Sequence, residues 1–149
     1  MLLGVVRSVV CFNRKEDRLD KDTSQRILII EDHPLVGGFL KDCLELEGYK
    51  VVGPISEESA AIEYLHDHVV SAALLDFYLN HSTTLSIVEK IQENNIPFAF
   101  MSGEDLGGLL PASLHKVPQL RKPFSSSELS SCLQGLLYRD TEYALGHKQ

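Results

Sequence analysis

The sequence has no basic excess, no long hydrophobic run and few cysteines, and each shortage excludes a class of function. Lys and Arg number 14 against 21 Asp and Glu, a formal net charge of -7, whereas a nucleic-acid binder needs a basic surface. The first apolar stretch, MLLGVVRSVVCF, is interrupted by Arg7 and is shorter than the roughly 20 residues that span a bilayer. It also lacks the basic start and cleavage site of a secretory signal. We therefore expect no direct contact with nucleic acid and none with a membrane.

Cysteine and histidine give no metal-ligand pattern. Cys11, Cys43 and Cys132 match neither the spacing of a metal site nor an even-numbered disulfide framework. The histidines are also scattered, which favours surface positions. The cysteines predict reduced thiols and a cytoplasmic location.

The chain divides into an arm, one domain and a tail. Residues 1–25 end in the mixed-charge run NRKEDRLDKDTSQ, which is typical of an exposed arm or linker. Residues 26–138 alternate apolar runs with helical patterns, and residues 139–149 form a short C-terminal tail. A chain of 149 residues has room for one full core and hardly for two.

Five strand-like runs alternate with about five helical patterns in the domain. RILII is a continuous apolar run of the kind that is buried on both faces of a sheet. The alternation predicts an α/β fold, a doubly wound five-stranded parallel sheet flanked by helices. The fifth strand is expected at an edge because Pro118 cannot donate a hydrogen bond. The helix before it is expected to be weak because GEDLGGLLPASL contains two adjacent glycines and a proline.

Two signals mark helix ends. Gly48 follows the first helical pattern and is expected to end that helix. Ser125 and Glu128 predict a capping box at the start of the last helix.

Polar residues stand at the carboxyl ends of four predicted strands. Glu31 and Asp32 follow the first strand, and Asp76 ends the third. Ser102 ends the fourth strand, and Lys122 follows the fifth. Because the groove of a doubly wound sheet lies beyond the carboxyl ends of its strands, we expect these side chains to meet in one shallow pocket. Three neighbouring carboxylates repel one another, and Mg2+ relieves that repulsion.

This set of side chains suits a phosphoryl group in transfer. With Mg2+ bound, two acids can hold the metal while the third offers an oxygen to an electrophile. Lys122 supplies a point charge for an anionic oxygen, and Ser102 supplies a hydroxyl donor. Asp76 would then be the nucleophile, forming an aspartyl phosphate.

Four motifs in this order resemble the receiver domains of two-component response regulators: ILIIEDHPLV, ALLDFYL, FAFMSGE and LRKPF. The resemblance runs from about residue 26 to about residue 138 and implies a flavodoxin-like receiver fold. It also implies that Asp76 accepts phosphate from a phosphohistidine on a sensor histidine kinase or histidine phosphotransfer protein.

By position, the resemblance implies a role for each site residue. Mg2+ would be held by Glu31, Asp32, Asp76 and the backbone carbonyl of Tyr78. Ser102 matches the switch hydroxyl, and Lys122 matches the lysine that contacts the phosphoryl group. The bond from this lysine to Pro123 matches one that is cis in the family.

The sequence departs from the usual receiver pattern at one switch position. Receivers place Phe or Tyr three residues before the lysine, where this chain has Gln119. The tract Phe-Met-Ser-Gly is similar to that of a branch of small, stand-alone receivers with Phe-Ala-Thr-Gly. We therefore expect the Gly-rich loop 103–112, rather than an aromatic side chain, to move on phosphorylation. Tyr78 and Glu104 are hypothesised to screen the phosphoryl group from water.

The predicted function is a phosphoacceptor signalling protein that changes its binding to a downstream protein, or relays the phosphate, without an output domain of its own. It would not be an enzyme beyond its own phosphotransfer and autodephosphorylation. One alternative is a docking module that keeps the fold but works without phosphorylation. A hydrolase of the haloacid dehalogenase kind is disfavoured, since those enzymes carry a second acid where Tyr78 stands.

Overall fold

A computed structural model describes residues 25–146, with side chains described for residues 25–138. Apart from Gln25, the expected arm, with Cys11, lies outside the described residues. Between residues 25 and 146, no helix combines the length and the apolar character that crossing a membrane requires.

Strands and helices alternate along most of the described chain. Their bounds are β1 (Arg26–Ile30), α1 (Pro34–Leu46), β2 (Lys50–Ile55), α2 (Glu58–Asp67), β3 (Ala72–Asp76), β4 (Tyr78–Leu79), β5 (Ser82–Thr83), α3 (Leu85–Glu93), β6 (Phe98–Ser102), a 3-10 turn (Ala112–Leu114), β7 (Gln119–Arg121) and α4 (Ser126–Gly146).

Five strands form one parallel sheet in the order β2-β1-β3-β6-β7. This order confirms the predicted doubly wound sheet, and β7 is a short edge strand as expected. Strands β4 and β5 form a separate antiparallel hairpin directly after β3, which the sequence patterns did not predict.

The two faces of the sheet bury separate apolar clusters. Ile27 and Ile29 of β1 pack in the cluster that α1 and α4 cover. Leu28 and Ile30 belong to the cluster on the other face, which α2 and α3 cover. Successive strand residues point to opposite faces, so a central strand that is covered on both sides has to be apolar throughout.

The prediction of about five helices is wrong, because the described residues contain four α-helices. The segment between β6 and β7 contains turns and the 3-10 turn instead. The backbone N–H of Gly107 donates to Oδ1 of Asp105 at 3.0 Å, a local turn that competes with helix formation. Adjacent glycines and Pro111 weaken a helix further. The segment is still anchored by three buried leucines, Leu106, Leu110 and Leu114.

Both predicted helix-end signals are confirmed. Helix α1 ends at Leu46, and Gly48 follows with a φ of +92°. Ser125 Oγ accepts a hydrogen bond from the N–H of Glu128, and Glu128 Oε2 accepts one from the N–H of Ser125, at 3.1 and 3.2 Å. Helix α4 continues to Gly146, so the segment expected as a tail, 139–149, begins as part of this helix.

Candidate functional site

The three predicted acids meet at the carboxyl edge of the sheet. Ile30 of β1 is paired with Leu75 of β3, which brings the residues that follow, Glu31 and Asp76, side by side. By strand alternation both side chains continue the face that α1 and α4 cover. One carboxylate oxygen each from Glu31, Asp32 and Asp76 lie within 4.8 Å of one another.

Lys122 reaches two of these acids from the loop after β7. Its Nζ lies 2.7 Å from Oε2 of Glu31 and 3.1 Å from Oδ2 of Asp76. The backbone N–H of Lys122 donates to the carbonyl of Ser102 at 2.8 Å, which holds the loop against β6. The Lys122–Pro123 bond is cis, as the resemblance implied. The side chain of Glu31 is fully buried, whereas 14% of the Asp76 side chain and 23% of the Lys122 side chain are exposed.

Burial and charge shift the proton affinities of this network. Burial, and next the negative charge of Glu31, raise the pKa of Asp76 to about 6, although its contact with Lys122 opposes the rise. Burial by itself lowers the pKa of Lys122, but its hydrogen bonds to Glu31 and Asp76 outweigh burial and hold that pKa above its ordinary value. Lys122 is therefore a cation at neutral pH, and Asp76 is mostly an anion there.

Backbone N–H groups also donate hydrogen bonds to Glu31 and Asp32. The N–H of His33 donates to Oε1 of Glu31 at 3.0 Å, so both carboxylate oxygens of Glu31 are engaged. The N–H of Asn80, in the β4–β5 turn, donates to Oδ2 of Asp32 at 3.2 Å. Loop backbone groups therefore help to orient Glu31 and Asp32.

Ser102 ends β6, the strand that neighbours β3. It lies one residue beyond Met101, which is the register partner of Asp76. Its Oγ accepts a hydrogen bond from the N–H of Glu104 at 3.1 Å, so the described contact of this hydroxyl is with the loop after β6. An accepting hydroxyl keeps its own hydrogen to donate, and Ser102 therefore stays a predicted donor.

Tyr78 begins the hairpin directly after the buried Phe77. The residue is 40% exposed, and its ring packs edge-on against the Phe77 ring, with centroids 4.8 Å apart. Tyr78 is therefore a partly exposed residue two positions beyond Asp76, and the screening role of its ring stays a prediction. The backbone carbonyl of Tyr78 as a metal ligand stays a prediction.

Thr84 is a supporting residue that the sequence patterns did not single out. It is buried, and its Oγ1 donates to the carbonyls of Asp76 and Phe77 at 2.9 and 3.3 Å. These bonds tie the end of β3 to the start of α3. The available signal was a threonine directly before a helical pattern, the usual place for a capping residue.

The donor set fits a hard divalent cation. It consists of carboxylate oxygens, with no thiolate or imidazole in the group of three, and Mg2+ prefers oxygen ligands. When all four groups are ionised, Lys122 neutralises one of three negative charges and leaves two for a cation. Glu31, Asp32 and Asp76 therefore suit Mg2+.

Comparison with known proteins gives one consistent family. The family model for the response regulator receiver domain matches residues 27–134. Response regulator GtcR of Aneurinibacillus migulanus is 27% identical over 123 residues, which is 80% of this chain and 50% of that protein. Two-component response regulator PprB of Pseudomonas aeruginosa is 31% identical over 77 residues, 50% of this chain and 28% of that protein. The chain thus spans half or less of the length of these curated relatives.

Solved structures give the same fold. SdrG from Sphingomonas melonis is 30% identical, with a TM-score of 0.67 over 76% of this chain and 97% of SdrG. The response regulator PhyR from Brucella abortus has a TM-score of 0.73 over 85% of this chain and 53% of PhyR; at 23% identity this likeness shows the fold alone. With the family model covering most of the chain, the chain belongs to the response regulator receiver domain family.

Proposed function

We propose that Asp76 is the phosphoacceptor of this receiver domain and that phosphorylation changes how the chain binds a downstream protein. The observation that carries the proposal is the position of Lys122 Nζ, 3.1 Å from Asp76 Oδ2, in a cluster of three acids. An ammonium beside a nucleophilic carboxylate can pair with an oxygen of the incoming phosphoryl group. The raised pKa of Asp76, about 6, still leaves it ionised at neutral pH.

The donor would be a phosphohistidine of a sensor histidine kinase or histidine phosphotransfer protein. A carboxylate oxygen of Asp76 attacks phosphorus, the P–O bond forms and the P–N bond breaks, and the imidazole nitrogen keeps the electron pair. Hydrolysis of the aspartyl phosphate then returns the carboxylate and inorganic phosphate. These are the only reactions that we propose for the chain.

Each charged residue has a role in this transfer. Glu31, Asp32, Asp76 and the Tyr78 carbonyl would hold Mg2+, which supplies positive charge to the phosphoryl oxygens when bound. The Lys122 ammonium would give up its contact with Asp76 and pair with a phosphoryl oxygen instead. Ser102 can turn its hydroxyl hydrogen toward the same group, and the loop that starts at Gly103 would follow that movement.

A groove beside Lys122 supports a protein as phosphodonor. Its volume is about 400 Å³, and its lining is mostly apolar. Leu35 on α1 is 79% exposed and Phe39 is 43% exposed, so an apolar face lies next to Lys122. The lining residues are Leu35, Val36, Phe39, Lys122, Pro123 and Phe124.

The proposal includes a downstream binding partner and a cellular location. SdrG, which is matched over nearly its whole length, is known in a BeF3-activated conformation, and this likeness supports a phosphorylation-driven change in a protein of this size. We propose a separate downstream protein as the partner. The cysteine pattern supports a cytoplasmic location.

Intact-mass spectrometry with acetyl phosphate and Mg2+ tests the proposal. The wild type should gain the mass of one phosphoryl group, and the gain should disappear in Asp76→Asn and in EDTA. Asp67→Asn, which changes an exposed aspartate on α2, should leave it unchanged. A wild type that gains no mass would favour the docking module that works without phosphorylation.

A further inference from the structure

The turn between β4 and β5 has an unusual backbone. Asn80 and His81 have φ angles of +51° and +69°, in the left-handed region that few residues other than glycine adopt. Asparagine is one of the residues that tolerate this region. The turn directs the N–H of Asn80 toward the site, where it donates to Oδ2 of Asp32 at 3.2 Å.

The side chain of Asn80 fixes the same turn from the other side. Its Nδ2 donates to the carbonyl of Ser56, directly after β2, at 2.7 Å. Asn80 therefore connects the loops that follow β1, β2 and β3. Since β1 lies between β2 and β3 in the sheet, this connection passes over the end of β1, where Asp32 stands.

Asp32 depends on this contact more than the other acids of the cluster do. Lys122 contacts Glu31 and Asp76, whereas the described hydrogen bond of Asp32 comes from Asn80. Asp32 is also exposed, and an exposed carboxylate can rotate away. A carboxylate with one oxygen engaged retains further lone pairs for another ligand, so the bond is compatible with metal binding.

We propose that Asn80 is a positioning residue for the magnesium site: its side-chain bond to Ser56 holds the turn whose N–H orients Asp32. The inference rests on the proposed function in one respect, the assignment of Asp32 as a metal ligand. Partners that orient metal ligands typically change metal affinity about 10- to 100-fold when mutated. Because the backbone N–H survives substitution, we expect a loss at the low end of that range.

Direct Mg2+ binding tests the role without phosphorylation. Asn80→Gly tolerates the same backbone conformation and removes the side-chain amide that bonds to Ser56. Calorimetry should show a Mg2+ dissociation constant about 10-fold higher than in the wild type. Asn95→Gly is the matched control, because Asn95 is exposed after α3 and has a φ of +53°. In the phosphorylation assay, the half-saturating Mg2+ concentration of Asn80→Gly should rise by a similar factor, with the rate recovered at saturating Mg2+.

A second measurement does not depend on the folding of an Asn80 variant. Hydrogen exchange of the backbone N–H of Asn80 should be at least about 10-fold faster in Asp32→Ala than in the wild type, because this N–H then loses its acceptor. Equal Mg2+ affinity in Asn80→Gly and Asn95→Gly, or equal exchange rates in Asp32→Ala and wild type, would overturn the positioning role alone. A wild type that binds no Mg2+ would instead overturn the metal site in the proposed function.

Discussion

Lys122 Nζ lies 2.7 Å from Oε2 of Glu31, a carboxylate whose side chain has no exposed surface. Ninety-one positions separate the two residues in the chain, so the pair forms only when the sheet has assembled. The same ammonium contacts Asp76, the proposed phosphoacceptor. A residue that is proposed for catalysis therefore also neutralises a buried charge.

Removing Lys122 should destabilise the metal-free protein. Lys122→Met leaves Glu31 buried without its cation, and we expect a loss of about 3 kcal/mol in the free energy of unfolding by urea titration at neutral pH. Glu31→Gln in the same chain should recover part of this loss, since no unpaired buried charge then remains. Lys90→Met is the control: Lys90 pairs with Glu93 on the surface, and its loss should cost at most about 0.5 kcal/mol. If the effects of Lys122→Met and Glu31→Gln on the free energy of unfolding simply add, the two residues are not coupled and the prediction is wrong.

The pKa of Asp76 predicts a pH dependence of stability in EDTA. The pKa is raised from 3.8 to about 6, so the folded protein binds more protons than the unfolded chain between these values. The contribution of Asp76 is therefore most favourable below pH 3.8 and is lost as the pH rises through about 6. Asparagine does not ionise, so Asp76→Asn does not lose stability as the pH rises. Its free energy of unfolding at pH 7.5 should exceed that of the wild type by up to about 3 kcal/mol.

The measurement is the difference in urea midpoint between wild type and Asp76→Asn across this pH range, because the subtraction removes the titration of other groups. Added Mg2+ should stabilise the wild type more than the variant at pH 7.5, since a bound cation favours the ionised carboxylate. Parallel stability curves for the two proteins would contradict the raised pKa.

The sequence predicted the elements whose pattern is local. Continuous apolar runs marked the central strands because both faces of the sheet are covered. Asp76 and Lys122 were identifiable only together with Glu31 and Asp32, because all four stand at the carboxyl ends of predicted strands. The capping box of Ser125 and Glu128 lies within four residues and is equally local.

Other features depend on contacts that the chain forms only after folding. Strands of two residues, as in the hairpin of Tyr78 to Thr83, are too short to show a period. The bond from Asn80 to Asp32 crosses 48 positions, and no pattern in either segment indicates it. The segment between β6 and β7 buries leucines at helical spacing, but its adjacent glycines and Pro111 weaken a helix there.

Two adjacent glycines in α1 offer a matched test of how closely this helix approaches β2. A Cβ added at Gly37 would lie 2.6 Å from Cγ and 2.9 Å from Cβ of Pro54, whereas one added at Gly38 meets nothing within 4 Å. Gly37→Ala should lower the free energy of unfolding by about 1–2 kcal/mol through overpacking. Gly38→Ala should raise it by up to about 1 kcal/mol through helix propensity. Urea titration of both variants checks the opposite signs, and a stabilised Gly37→Ala would show that α1 is free to shift away from Pro54.

Tyr78 provides a test of how long the phosphoryl group survives. Tyr78 is partly exposed and packs on Phe77 two positions beyond Asp76, and its ring is hypothesised to hinder an attacking water. Tyr78→Ala should therefore shorten the lifetime of phosphorylated Asp76 about 3- to 10-fold, a change of roughly 1 kcal/mol in the barrier. The decay is followed by intact-mass spectrometry after removal of the phosphodonor.

The control for Tyr78 is Tyr138→Ala, because Tyr138 is an exposed tyrosine on α4. Tyr78→Phe separates the two possible contributions of the side chain: retained lifetime would assign the effect to the ring, and a lifetime like that of Tyr78→Ala would assign it to the hydroxyl. An unchanged lifetime in Tyr78→Ala would remove the ring from the protection of the phosphoryl group. It would leave Glu104, whose N–H donates to Ser102 Oγ, as the other residue hypothesised to screen the phosphoryl group, and Glu104→Ala would be the next variant to measure.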